Sequence, residues 1–95
     1  MTTVKVAAAQ IRPALFSLDG SLQRVLDAMA DAAAQGVELI VFPETFLPYY
    51  PYFSFVEPPV LMGRSHLALY KQAVVVPGPV TDAVAAAARQ YGMQV

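Results

Sequence analysis

The stretch VFPETFLPYYPYFSF, residues 41–55, sets a single acid, Glu44, between an apolar run and a loop of prolines and rings. Seven of the chain's ten aromatic residues fall between Phe42 and Phe55. A surface glutamate needs no such setting, whereas a carboxylate whose hydrogen bonding and access to water must be controlled, as in a general base, does. Other groups able to do chemistry are sparse. With no Cys in the sequence, disulfides and thiolate-bound metal are excluded within these residues, and the lone His66 argues against a histidine-rich metal site. No metal or cofactor is therefore expected. His66 reads as a helix-surface or interface residue and Lys71 as a solvated one. Position alone leaves Glu44 with two roles: a general base, or an acid that caps a loop N–H or pairs with an arginine such as Arg12.

The elements that must position this acid follow from the hydrophobic pattern. Residues 4–9 form a short apolar run in which Val4, Val6 and Ala8 share one strand face, and Pro13 ends any ladder because it lacks an N–H. Between Gly20 and Gln35 the period changes. Leu22, Val25, Leu26, Met29, Ala30 and Ala33 make one helical stripe, with Asp19 or Ser21 able to cap its start and Gly36 able to close its end. VELIVF, residues 37–42, is a second β-rich run stopped by Pro43. Strand, helix and strand in this order predict a right-handed βαβ unit with parallel strands, and neither strand shows a clean polar face, which suits a sheet covered on both sides. Glu44 then sits just past the carboxyl end of the second strand and Gln10 at the end of the first, where functional groups of parallel sheets gather.

Five prolines lie in residues 43–59, a density that no regular helix or strand survives, yet the segment is too aromatic for a disordered linker. It reads as an ordered loop packing its rings on the domain or a partner. Residues 61–73 read as helical. VVVPGPV turns the chain, Pro79 suits a first helical position, and Val84, Ala87, Ala88 and Tyr91 form a second stripe closed by Gly92. Met93 to Val95 looks like the start of a third strand.

The chain of 95 residues is 57% apolar and 14% charged, against about a quarter charged in ordinary domains. It has too little polar surface to cover itself, so it either buries its faces against something else or is one piece of a larger unit. Net charge is −1 with no basic stripe, which argues against a nucleic-acid partner. The start, MTTVKVAAAQ, reads as neither a signal peptide nor a membrane span, and a cytoplasmic location is the default expectation.

GVELIVFPETFLPYYP, residues 36–51, resembles the glutamate signature of the nitrilase, or carbon–nitrogen hydrolase, superfamily. Gly36, Leu39, Ile40, Phe42, Glu44, Leu47, Tyr50 and Pro51 fall in its pattern, and Tyr49 stands where the family has glycine. VKVAAAQIRP resembles the family's first strand, and residues 74–95 its second helix and third strand. The resemblance implies an α/β fold, with residues 1–95 the N-terminal part of one domain built as an α-β-β-α sandwich. It implies a Glu-Lys-Cys catalytic set in which Glu44 is the general base, a cysteine thiolate attacks the nitrile or amide carbon, and a lysine stabilises the tetrahedral species. The cysteine is absent here, and Lys5 and Lys71 are poor matches for the lysine, so the segment alone is expected to be inactive. The aromatic loop looks more like nitrilases than amidases, with Tyr50 foremost and Thr45 and Tyr49 next as substrate-pocket residues. Expected partners are a small nitrile, the remainder of the domain and further copies in a homo-oligomer. An amidase, or a non-catalytic assembly segment in which Glu44 is unused, are the alternatives.

Overall fold

A computed structural model describes residues 2–95. Two parallel strands, β1 (Val6–Ala8) and β2 (Leu39–Val41), pair in the register Val6 with Leu39, Ala7 with Ile40 and Ala8 with Val41. Bonds from Glu38 N–H to the Lys5 carbonyl and from Ala9 N–H to the Val41 carbonyl extend the ladder at both ends, each at 2.8 Å. On the other side of β2, Leu39 bridges Gln94 in parallel; the Ile40 N–H donates to the Gln94 carbonyl and the Gln94 N–H to the Glu38 carbonyl, each at 2.9 Å. The third strand expected at residues 93–95 thus begins, as a single bridge, and β2 lies in the middle.

The crossover between the strands is helix α1 (Leu18–Ala34). Its cap is Ser17, whose extended backbone lets the hydroxyl accept the Gly20 N–H at 3.0 Å, so the helix starts earlier than a cap at Asp19 or Ser21 would allow. Ser21 is instead fully buried, and its hydroxyl both accepts from the Ala14 N–H and donates to the Ala14 carbonyl, tying the loop before the helix to its first turns. The buried stripe runs through Ser21, Val25, Met29 and Ala32, while Ala30, expected within it, is exposed. Gly36 takes the left-handed φ of 76° and turns the chain into β2. Met29 is at 0% exposure and packs with Val25, Ala32, Val37, Ile40, Phe46 and Met93.

Helix α2 spans Met62–Lys71 and helix α3 spans Pro79–Tyr91, with Pro79 at its first turn and Gly92 in the left-handed region just past its end. The expected α3 stripe, Val84, Ala87, Ala88 and Tyr91, packs half-buried on the same core beside α1. The proline-rich loop is not wholly irregular: 3-10 turns form at Tyr52–Phe55 and Pro59–Leu61. Proline costs nothing at the first position of such a turn, where its missing N–H would have had no partner.

Helices cover one face of the sheet and leave the other open, unlike the two-sided cover read from the strands. Val6 is 60% exposed and Val41 56%, with Val4 and Ala8 exposed on the same side as expected for alternating residues. The 3-10 turns and α2 carry a second apolar surface through Phe55, Val56, Val60 and Tyr70. The radius of gyration is 15.4 Å, against about 12.4 Å for a compact domain of this length. Among the described residues no helix is long and apolar enough to cross a membrane.

Candidate functional site

Glu44 follows the last residue of β2 by three positions, at the carboxyl ends of both parallel strands. Residues 43–46 form a turn closed by the Phe46 N–H donating to the Pro43 carbonyl at 3.3 Å, with Glu44 and Thr45 at its tip. Both flanks are anchored. The rings of Phe42 and Phe46 pack with centroids 5.7 Å apart, and Phe46 is buried in the core. Pro43 fixes its own backbone torsion. Thr45 has φ of +49°, the left-handed region that β-branched residues avoid. The carboxylate is therefore displayed at a fixed place and is exposed to water within these residues.

The aromatic loop, expected to exclude water from Glu44, has its rings engaged elsewhere. Tyr49 is 2% exposed, its ring 5.4 Å from that of Phe16. Its hydroxyl is buried without a hydrogen-bond partner among the described residues, and burial pushes the phenol pKa up. Tyr50 is half-buried, 5.3 Å from Tyr52 and 6.1 Å from Phe55, the latter ring lying almost parallel to it. Successive residues of an extended segment face opposite ways, and Pro51 holds Tyr50 extended, so one tyrosine enters the core as the next turns outward.

Thr45 and Tyr49 come together in the wall of a groove of about 560 Å³, closed on the other side by His66, Leu69 and Tyr70 of α2; Glu44 and Tyr50 do not line it. The four residues singled out from the sequence thus lie on one loop but do not form one enclosed pocket here. Gln10 is exposed just past β1. Arg12 does not serve as the partner of Glu44; its backbone carbonyl accepts from the Arg24 guanidinium at 2.8 Å. Lys5 is engaged at the opposite, amino end of the sheet, its Nζ donating to the Gln35 carbonyl at 2.6 Å. His66 meets Phe53 edge-on at 4.9 Å. Among the described residues no group of three His, Cys, Asp or Glu side chains is placed to hold a metal.

The strained Thr45, the buried Tyr49 hydroxyl and the Ser17 cap escaped the sequence reading. Nothing in the type of residue 45 signals a positive φ, whereas Ser17 three residues before Gly20 was a legible cap.

Residues 5–95 match the family model for carbon–nitrogen hydrolases. The chain is 59% identical over 92 residues to a nitrilase of Paraburkholderia phymatum, an alignment covering 97% of this chain and 27% of that protein. It is 46% identical over 97 residues to "Nitrilase 3" of an unknown prokaryotic organism, covering the whole chain and 29% of that protein. It is 32% identical over 94 residues to an aliphatic nitrilase of Rhodococcus rhodochrous, covering 98% and 26% respectively. The chain therefore spans between a quarter and a third of the length of these relatives. With a glutamate past the carboxyl end of a parallel strand, inside a segment that aligns with nitrilases over nearly its whole length, this chain belongs to the carbon–nitrogen hydrolase family as a nitrilase-type segment.

Proposed function

We propose that this segment supplies the general base, Glu44, of an enzyme that hydrolyses a small nitrile to a carboxylic acid and ammonia. The observation that carries the reading is the clamped turn that presents a lone carboxylate at the carboxyl ends of two parallel strands. Glu44 accepts the proton of a cysteine thiol, the thiolate adds to the nitrile carbon, and the nitrile nitrogen is protonated to give a thioimidate. Water adds to this intermediate and ammonia leaves, forming an acyl-enzyme. A second water releases the acid and restores the thiol. The cysteine, and the lysine that steadies the tetrahedral species, lie outside these residues. The segment alone therefore has no turnover.

Residues 1–95 are on this reading the N-terminal part of one α-β-β-α sandwich. A second sheet covers Val6 and Val41, and the remainder of the domain closes over Glu44, which explains why the carboxylate is open to water in this chain. Tyr50 is the side chain assigned to the nitrile pocket, whereas Thr45 and Tyr49 face the separate groove beneath α2. The complete enzyme is cytoplasmic and assembles as a homo-oligomer. Product analysis tests the reaction. The complete enzyme, given a nitrile, should release carboxylate and ammonia in equal amounts. Turnover of the matching amide with none of the nitrile would replace this reading with an amidase.

A further inference from the structure

The geometry points to Thr45 as a positioning residue for Glu44, acting through its left-handed backbone and not through its hydroxyl. The inference rests on the reading of Glu44 as the general base. Three observations carry it. Thr45 has φ of +49°, one of two non-glycine residues with positive φ among the described residues, and it directly follows the acid. A β-branched residue in this region is a genuine outlier that persists only where the surroundings over-determine it. Here they do: the bond from the Phe46 N–H to the Pro43 carbonyl, the packed rings of Phe42 and Phe46, and the burial of Phe46 fix both sides of the turn.

With its ends held, the turn takes positive φ at its third residue, the place where glycine or asparagine is usual in a turn of this kind. A negative φ at residue 45 would rotate the peptide between Glu44 and Thr45 and swing the carboxylate away from the strand ends. Thr45 lines the groove beside Tyr49, while Glu44 does not, so the two tip residues face different surroundings. What the acid requires from its neighbour is a torsion angle.

The test is a substitution series in the complete enzyme, with kcat and KM read from ammonia release on a nitrile and melting followed in parallel. Glycine and asparagine tolerate positive φ. Thr45→Gly and Thr45→Asn are expected to keep kcat within about threefold of the parent. Thr45→Ile, whose larger branched side chain opposes positive φ more strongly than threonine does, should fall by about tenfold, and Thr45→Pro, locked at negative φ, by about 100-fold with KM little changed, the scale of a displaced catalytic group. If the proline variant fails to fold, the order of Gly and Asn above Ile still decides. Loss of activity in Gly and Asn with retention in Thr45→Ser would assign the role to the hydroxyl and overturn the proposal, as would a folded proline variant with parental kcat. Glu44→Gln runs alongside: parental activity there would remove the reading of Glu44 itself, whereas an inactive Glu44→Gln with a flat Thr45 series would remove only the positioning role.

Discussion

Expressed alone, these residues are expected to self-associate instead of running as a monomer. The chain presents 6650 Å² of accessible surface, whereas a compact monomer of 10.2 kDa would present about 5300 Å². If about 60% of the roughly 1300 Å² excess is apolar, covering it at about 25 cal/mol per Å² is worth roughly 20 kcal/mol before the entropy of association is subtracted. The uncovered side chains are specific: Val4, Val6 and Val41 on the sheet, and Phe55, Val56 and Val60 beyond it. With a charged fraction of 14%, little electrostatic repulsion opposes association. The perturbation is removal and return of the cover, residues 1–95 alone and then with the rest of the protein supplied in trans. Sedimentation velocity at rising concentration should show association for the first and a defined complex for the second. Amide exchange at Ile40 and Gln94, whose N–H groups bond across the sheet, should be fast alone and slow in the complex. A sharp monomer with strongly protected Ile40 and Gln94 amides would show that these residues need no further cover and favour a self-sufficient structural module.

Two further expectations concern Tyr49. Its buried hydroxyl lacks a partner among the described residues, and an orphaned polar group costs about 1–3 kcal/mol, so Tyr49→Phe in the complete protein should raise stability by about 1 kcal/mol in urea unfolding; a loss of that size would mean that the hydroxyl is bonded there. Burial also raises the Tyr49 pKa, so the fold prefers the neutral phenol. That preference is fully present below about pH 10 and is lost as pH rises through the elevated folded value, and Tyr49→Phe should weaken the alkaline loss of stability; identical urea midpoints for both proteins across that range would contradict it.

The pattern along the chain carried most of the architecture. The apolar runs around Val6 and Ile40, the stripe through Val25 and Met29 and the closing glycines Gly36 and Gly92 all lie where periodicity and capping chemistry put them. Rotation of the α1 stripe toward Ser21 and Ala32 was not legible, because an alanine-rich helix offers several apolar faces of similar strength and the neighbouring core chooses among them. Strand length was overestimated, since Val4 and Phe42 are as apolar as their paired neighbours but lie beyond the paired residues. At the site, the position of Glu44 past a strand end followed from Pro43 and the run before it. The placement of the tyrosines did not, because alternation says that Tyr49 and Tyr50 face opposite ways but not which one enters the core. The backbone of Thr45 was illegible for a different reason: its torsion is imposed by Phe42, Phe46 and the bond across the turn, against the preference of the residue itself.

The role of Glu44 as general base meets its sharpest test in Glu44→Gln in the complete enzyme. Glutamine keeps the size and shape of the side chain at a position exposed in this chain and removes only its capacity to take a proton. With nitrile turnover measured at saturation, kcat should fall by at least about 100-fold, the smaller end of what a general base contributes, while circular dichroism and the melting temperature stay those of the parent. Turnover close to the parent enzyme in a folded Glu44→Gln protein would mean that Glu44 is not the base.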